Sequence, residues 1–89
     1  MKAVWKYEVP SSPGAFEKAL PIAAEILTVA CQHNRPVMWV LVDPDAEKEY
    51  RSFFIAETGK SIDHAPLKPI GTVQLDGGSY VLHVFEVLQ

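Results

Sequence analysis

The sequence predicts an all-β protein, a small antiparallel β-sandwich or barrel of about six to seven strands. Short apolar runs of strand length recur from end to end, and Pro, Gly, Asn and Asp separate them. Residues 5–9 alternate between apolar and charged side chains, and Asp76-Gly77-Gly78 is a strong hairpin signal between two other runs. With 89 residues, the chain is expected to form a single domain (1–89) around one compact core.

The first predicted strand covers residues 4–9. Its odd-numbered residues are apolar, whereas Lys6 and Glu8 are charged, and this period of two is typical of a half-buried strand. Residues 10–14 end the strand, because proline cannot donate to a ladder and glycine favours turns.

Residues 15–32 are open to two interpretations. Apolar residues at helical spacing between 22 and 30, with Pro21 before them, are compatible with a helix. The β-branched residues of segment 26–29 and the turn-like residues 32–36 favour strands. We predict two strands, 16–20 and 25–32, and keep a helix as the alternative.

Residues 37–42 are apolar on both sides, so this strand is either buried on both faces or covers a partner subunit on one. The charged stretch 46–51 is expected to lead into a strand at 52–57, and the acids between 43 and 49 are expected to form a solvated turn. Residues 60–69 contain Pro66 and Pro69 and are expected to be the longest loop, where binding residues often lie.

The last two predicted strands are 70–75 and 80–88, joined by the Asp76-Gly77-Gly78 turn. Both faces of the final strand are mostly apolar, which predicts a central position in its sheet.

Composition argues against several classes of function. The net charge is −3 and the eight basic residues are scattered singly, which argues against nucleic-acid binding. A single cysteine indicates a reducing compartment. The sequence shows neither a signal-peptide pattern nor an apolar stretch of about 20 residues, so we expect a cytoplasmic protein that does not bind membranes.

No residue pattern predicts catalysis, a metal site or a cofactor. The acids between 43 and 49 lack the glycine and the glutamate of a calcium loop. Cys31 and the histidines lack the paired spacing of a zinc site, and we expect a buried thiol, a loop histidine (His33) and a strand histidine (His83). A Cys31–His83–Glu86 triad fails because residues 83 and 86 point to opposite faces of one strand. We therefore predict that the protein is not an enzyme.

A binding role is the remaining prediction, because the strands hold more apolar positions than one small sandwich covers. This surplus predicts a partner or subunit interface. The candidate binding residues are an aromatic side chain, the cationic residues near the predicted loop and a histidine within it, namely Trp39, Arg51, Lys60, His64 and Lys68.

Four segments, 25–27, 41–45, 70–75 and 83–86, together with the opening Val4-Trp5-Lys6-Tyr7, give a resemblance over nearly the whole chain. They resemble a family of small uncharacterised proteins encoded by tailed bacteriophages and their prophages. Arg35, where a hairpin glycine is common, and Lys60-Ser61 depart from that pattern. The resemblance implies a phage or prophage origin and provides no catalytic residues.

The functional hypothesis is a non-catalytic phage accessory protein that binds a host protein in the bacterial cytoplasm, with a host-takeover or anti-defence role, and that forms a homodimer. Two alternatives stay open. One is a protein that sequesters a small nucleotide-like ligand, and the other is a minor structural component of the virion.

Overall fold

The computed structural model describes residues 1–63 and 66–88, and its seven strands form two antiparallel sheets. The three-stranded sheet, in the order β1-β4-β3, contains β1 (Ala3–Glu8), β3 (Glu25–Gln32) and β4 (Arg35–Val42). The four-stranded sheet, in the order β2-β5-β7-β6, contains β2 (Gly14–Pro21), β5 (Lys48–Glu57), β6 (Leu67–Leu75) and β7 (Tyr80–Val87). The predicted all-β sandwich is confirmed.

The strand interpretation of residues 15–32 is confirmed and the helix alternative is wrong. A tight turn divides this run, because the backbone N–H of Ala24 donates to the carbonyl of Pro21 at 3.1 Å. Ala23 occupies the left-handed region within the turn, with φ of 64°. Of the two strands predicted within residues 15–32, the second, 25–32, has the same bounds as β3, Glu25–Gln32. The final strand, β7, lies between β5 and β6, as its two apolar faces predicted.

The core lies between the inner faces of the two sheets. Strand β4 directs Met38, Val40 and Val42 into it, and all three are almost fully buried. The four-stranded sheet contributes Phe53, whose ring stacks on Phe16 with centroids 5.0 Å apart. Burial of these apolar side chains is the main source of stability in a domain of this size.

Strands β3 and β6 lie side by side and join the two sheets along what we call the seam. Midway along it, an added Cβ at Gly71 would lie 3.0 Å from Val29 Cγ1, so the backbones approach closely there. One end of the seam is held by contacts of Arg51, and the other by Asn34 and Asp76. The seam makes the two sheets one packed unit.

Two predicted boundaries, the starts of β5 and β6, are wrong by three residues or more. The expected loop 60–69 ends earlier, because β6 begins at Leu67 and includes Pro69. Proline is tolerated there because β6 is an edge strand and its register shifts between Pro69 and Gly71. The expected charged turn also ends early, because β5 begins at Lys48 and pairs with β2 through its charged residues.

Candidate interaction surfaces

An ion pair between Arg51 and Glu86 lies on the inner side of the four-stranded sheet. The Nε and Nη2 of Arg51 donate to the two carboxylate oxygens of Glu86 at 2.7 and 2.8 Å. Its Nη1 donates to the carbonyl oxygen of Ala24 at 2.5 Å. The side chains are only 20% and 14% exposed, so water weakens this bidentate pair less than an exposed one.

The position of the pair follows from the strand register. Glu86 is the β7 neighbour of Phe53, and Arg51 precedes Phe53 by two residues on β5, so both side chains point inward. The hydrogen bonds that Arg51 donates to Glu86 raise the pKa of Arg51 above its ordinary value, and partial burial opposes this change. Arg51 therefore stays charged and connects β5, β7 and the turn between β2 and β3.

Two grooves border this ion pair, and Arg51 and Glu86 line both of them. The seam groove, of about 390 Å³, lies between β3 and β6. Leu27 and Ile70, which lie at the β-bulges of these two strands, are part of its wall, and Glu25 and Lys68 lie at its sides. The second groove, of about 380 Å³, includes Tyr50 and Leu88, and we call it the Tyr50 groove.

Most of the large exposed hydrophobic side chains lie at the end of the sandwich that holds these grooves. The described residues include seven large exposed hydrophobic side chains, and Tyr50 is the most exposed of those within a strand, at 77%. All except Ile62 lie at or near this end, where β1, β3, β5 and β6 begin: Met1, Val4, Ile22, Leu27, Tyr50 and Leu88. Such concentrations of apolar surface commonly mark interaction sites.

A second apolar surface lies on the outer side of the three-stranded sheet. Strand β4 presents three apolar residues there in succession, Val37, Trp39 and Leu41. Trp39 and Leu41 remain half-buried, and the neighbouring Val4 is 55% exposed. We define the Trp39 face by the outward residues around this indole, which are Val4, Lys6, Thr28, Trp39 and Leu41.

Lys6 lies across Trp39. Its Nζ is 6.0 Å from the centroid of the indole and donates to Gln32 Oε1 at 2.8 Å. The side chain thus reaches from β1 over β4 to β3. Its exposed ammonium is held by contacts of modest strength, so it can move aside when a partner approaches.

The residues considered for catalysis, Cys31, His83 and Glu86, lie in different parts of the fold. His83 points to the outer side of the four-stranded sheet, and its ring nitrogens hydrogen-bond to Thr58 at 2.6 Å and Thr72 at 2.9 Å. Glu86 points inward, so the prediction of opposite faces is confirmed. The prediction of a buried Cys31 is wrong, because it is exposed on edge strand β3. Within residues 1–63 and 66–88, no group of three or more His, Cys, Asp or Glu side chains is arranged to hold a metal ion.

The predicted binding residues fall into separate places. Arg51 and Lys68 both line the seam groove, whereas Trp39 lies on the outer side of the other sheet. Lys60 is exposed beyond β5, at the opposite end from the grooves. His64 lies outside the described residues. Sequence reasoning missed Tyr50 and Leu27 as surface residues, although a tyrosine within a charged run was an available signal.

These observations define the class of the protein as a small antiparallel β-sandwich with two apolar surfaces. The chain belongs to a family described as a domain of unknown function, DUF7352, whose model matches residues 1–89. No curated protein and no solved structure matches the chain. Over the described part of the chain, the structure has no helix with the length and apolar character needed to cross a membrane.

Proposed function

We propose that this protein is a non-catalytic accessory protein that binds another protein through the Trp39 face. The observation that supports this most directly is the outward apolar pair Trp39 and Leu41 on β4, which are half-buried and lie next to the exposed Val4. In an antiparallel sheet with one solvated side, outward positions are usually polar. The apolar surface that Val4, Trp39 and Leu41 leave exposed on that side is best explained by a partner that covers it.

The chemistry of the Trp39 face suits a protein partner. Tryptophan is enriched among residues that dominate binding energy, particularly when polar groups surround it and exclude water. Here Lys6 and Thr28 lie on either side of Trp39 in the same row of the sheet. Displacement of the Lys6 ammonium would uncover the indole without a change in the backbone.

The partner we propose is a host protein, with the chain acting as a phage or prophage product in the bacterial cytoplasm and as a homodimer. The resemblance to small phage proteins supports the source. The single cysteine and the mixed charge of the surface support a reducing compartment and a protein rather than a nucleic-acid partner.

A nucleotide-like ligand is less well supported by the cationic residues. Phosphate recognition requires positive charge that is not already neutralised. Arg51 is occupied by Glu86 and by the carbonyl of Ala24. Lys68 lines the same groove as Glu25, so the seam groove holds two cationic and two anionic side chains.

Affinity capture from a host lysate with variants of the exposed surface tests the proposal. We expect the wild-type chain to recover a specific host protein, and Trp39→Thr, which keeps a strand-forming residue, to lose it. Ile62→Thr is the matched control, because Ile62 is 43% exposed but lies off the Trp39 face. Thermal unfolding would establish that both variants fold. Equal recovery of the same proteins by wild type and Trp39→Thr would contradict the proposal.

A further inference from the structure

We propose that two copies of this chain dimerise through the free edge of β1, which pairs with the same edge of the second copy and joins two three-stranded sheets into one of six strands. Each sheet of the sandwich ends in two edge strands. The edge strands β3 and β6 lie at the seam, and both have bulges. The outer edges, β1 and β2, are where a further strand can add. This interface is that of the homodimer in the proposed function, on which it rests, but it does not involve the host partner.

Strand β1 is better suited to such pairing than β2. Its register with β4 is continuous over Ala3–Glu8, so its free edge presents a regular row of backbone groups. Strand β2 directs Lys18 inward, because Lys18 is opposite the inward Arg51 on β5. Inward charges at a sheet edge oppose the addition of a further strand. On β1 the inward residues are instead Trp5 and Tyr7, which pack against the core but remain only half-buried.

The hydrogen-bond pattern of β1 shows which of its backbone groups face the free edge. The N–H of Val9 donates at 3.2 Å to the carbonyl of Pro36, the residue opposite Val9 when the β1–β4 register is continued. Because hydrogen-bonded and non-hydrogen-bonded pairs alternate along an antiparallel ladder, the odd-numbered residues of β1 bond to β4. Val4, Lys6 and Glu8 therefore direct their N–H and C=O groups to the free edge. Edge groups of this kind are a template for pairing with another chain.

The inward side chains fit a two-fold axis that passes between the two copies of Trp5. The two indoles then form a non-hydrogen-bonded pair with Cα atoms about 4.5 Å apart, and aromatic pairs at such positions stabilise a sheet. Tyr7 of each copy lies opposite Ala3 of the other, so a large side chain meets a small one. The pairing covers each half-buried ring on the side where its own sheet ends. Self-complementary pairing of one surface is the usual form of a homodimer.

The outward charges favour this register over its neighbours. With this axis, Lys6 of one copy lies opposite Val4 of the other. Glu8 lies opposite Lys2, which has the opposite charge. A shift of the axis to Lys6 places the two Lys6 ammonium groups directly opposite one another, and like charges in that position are destabilising. A further shift by one residue pairs Lys6 with Glu8, but only the last part of each β1, residues 6–8, then faces the β1 of the other copy.

Sedimentation equilibrium of the chain and of two proline variants tests this interface. We expect wild type to approach twice the 9.9 kDa mass of the chain. Val4→Pro removes an N–H that faces the free edge and leaves the bonds to β4 in place, so it should weaken dimerisation by roughly tenfold or more.

Ala15→Pro is the matched control on the other outer edge. Ala15 is the second residue of β2, as Val4 is of β1. The N–H of Ile22 donates to the carbonyl of Glu47, so the even-numbered residues of β2 bond to β5 and the N–H of Ala15 faces the free edge of β2. This variant should dimerise as wild type does. Thermal unfolding establishes that both proline variants fold.

Disulfide crosslinking tests the register, in a Cys31→Ser background that removes the natural thiol. With the axis at Trp5, the Cα atoms of Val4 in one copy and Lys6 in the other lie about 5.5 Å apart, which is within disulfide range. A mixture of Val4→Cys and Lys6→Cys chains should therefore form a covalent dimer, and mass spectrometry should find one chain of each kind in it. Lys6→Cys alone should stay uncrosslinked, and a dimer of two Lys6→Cys chains overturns the register.

The outcomes separate this interface from the binding of a host protein. Wild type that stays monomeric throughout, or Val4→Pro that folds and dimerises as well as Ala15→Pro, overturns pairing through β1. Trp39→Thr should still dimerise, because Trp39 lies on β4, inside the sheet. Loss of host-protein capture and loss of dimerisation are therefore separate results. A monomer that captures a host protein through Trp39 overturns the dimer and leaves the host-binding proposal intact.

Discussion

Asn34 and Asp76 join the turns of the two sheets through a reciprocal pair of hydrogen bonds. Asn34 Nδ2 donates to Asp76 Oδ1 at 2.8 Å, and the backbone N–H of Asp76 donates to Asn34 Oδ1 at 2.7 Å. Both residues have positive φ, 60° and 52°, in the left-handed region that Asn and Asp tolerate better than most residues. The two bonds hold one end of the seam, as the bond from Arg51 to Ala24 holds the other.

Asn34→Gly should lower the free energy of unfolding by about 1 kcal/mol. Glycine keeps the left-handed backbone, so the change removes mainly two exposed hydrogen bonds, each of modest net value. Thermal unfolding should show a melting temperature lower by about 4–8 °C. His33→Gly is the control, because His33 also has positive φ and forms none of these bonds. Equal stability of Asn34→Gly and wild type would show that the pair does not hold the seam.

The strands were predictable because they depend on local sequence. The alternation of apolar and charged residues predicted the first strand. The β-branched residues and the turn that follows them predicted β3 at Glu25–Gln32. The errors occurred where tertiary pairing outweighs local signals. Charged residues 48–51 continue β5 because β2 pairs with them, and Pro69 lies in β6 because a bulge on an edge strand accepts proline.

The candidate site was only partly predictable. Sequence reasoning named Arg51 and Lys68, which line one groove, but it did not give Arg51 its partner. Glu86 lies 35 residues away, and the contact depends on the register between β5 and β7. The register of distant strands is set by packing across the whole sheet, which no local pattern encodes.

Gly71→Ala should destabilise the protein by about 1–3 kcal/mol, as overpacking in a filled interior does. The new Cβ would lie 3.0 Å from Val29 Cγ1, so the seam must open or Val29 must move. A double-mutant cycle with Val29→Ala, followed by urea unfolding, measures the coupling. In the Val29→Ala background, Gly71→Ala should cost roughly 1 kcal/mol less. Strictly additive effects would argue against a clash at this point.

Ala23→Gly should stabilise the protein by about 0.5–1 kcal/mol. The left-handed backbone at Ala23 costs a residue with Cβ about 1–2 kcal/mol, and glycine removes this cost. The greater freedom of glycine in the unfolded chain offsets about 0.5–1 kcal/mol of the resulting gain in stability. Ala46→Gly is the matched control, because Ala46 lies in another turn and has no positive φ. It should destabilise the chain. Chemical unfolding measures both, and a destabilised Ala23→Gly would be the contrary result.

Arg51→Met should lower the free energy of unfolding by about 2 kcal/mol, because it leaves the Glu86 carboxylate partly buried without its partner. The double variant Arg51→Met/Glu86→Leu should recover much of this loss, since it removes the unpaired charge as well. Arg35→Met, at an exposed position, should change stability little. Urea unfolding distinguishes these cases. Equal effects of Arg51→Met and Arg35→Met would show that the ion pair adds nothing to stability.

The partly buried phenol of Tyr7 should lower the free energy of unfolding at alkaline pH. Burial raises the pKa of its phenol above the ordinary value of about 10, because the neutral form is favoured in the folded chain. As the pH rises through about 10, the unfolded chain loses this proton first and binds fewer protons than the folded chain, so the free energy of unfolding falls. The stabilisation is fully present below that pH.

Tyr7→Phe should therefore flatten the alkaline decline while leaving the pH dependence near neutrality unchanged. Urea unfolding at a series of values between about pH 8 and pH 11 measures it, across the range in which a phenol ionises. Tyr50→Phe is the control, because the ring of Tyr50 is largely exposed whereas Tyr7 packs against the core. Parallel curves for wild type and Tyr7→Phe throughout this range would show that the phenol of Tyr7 is as well solvated in the folded chain as in the unfolded one.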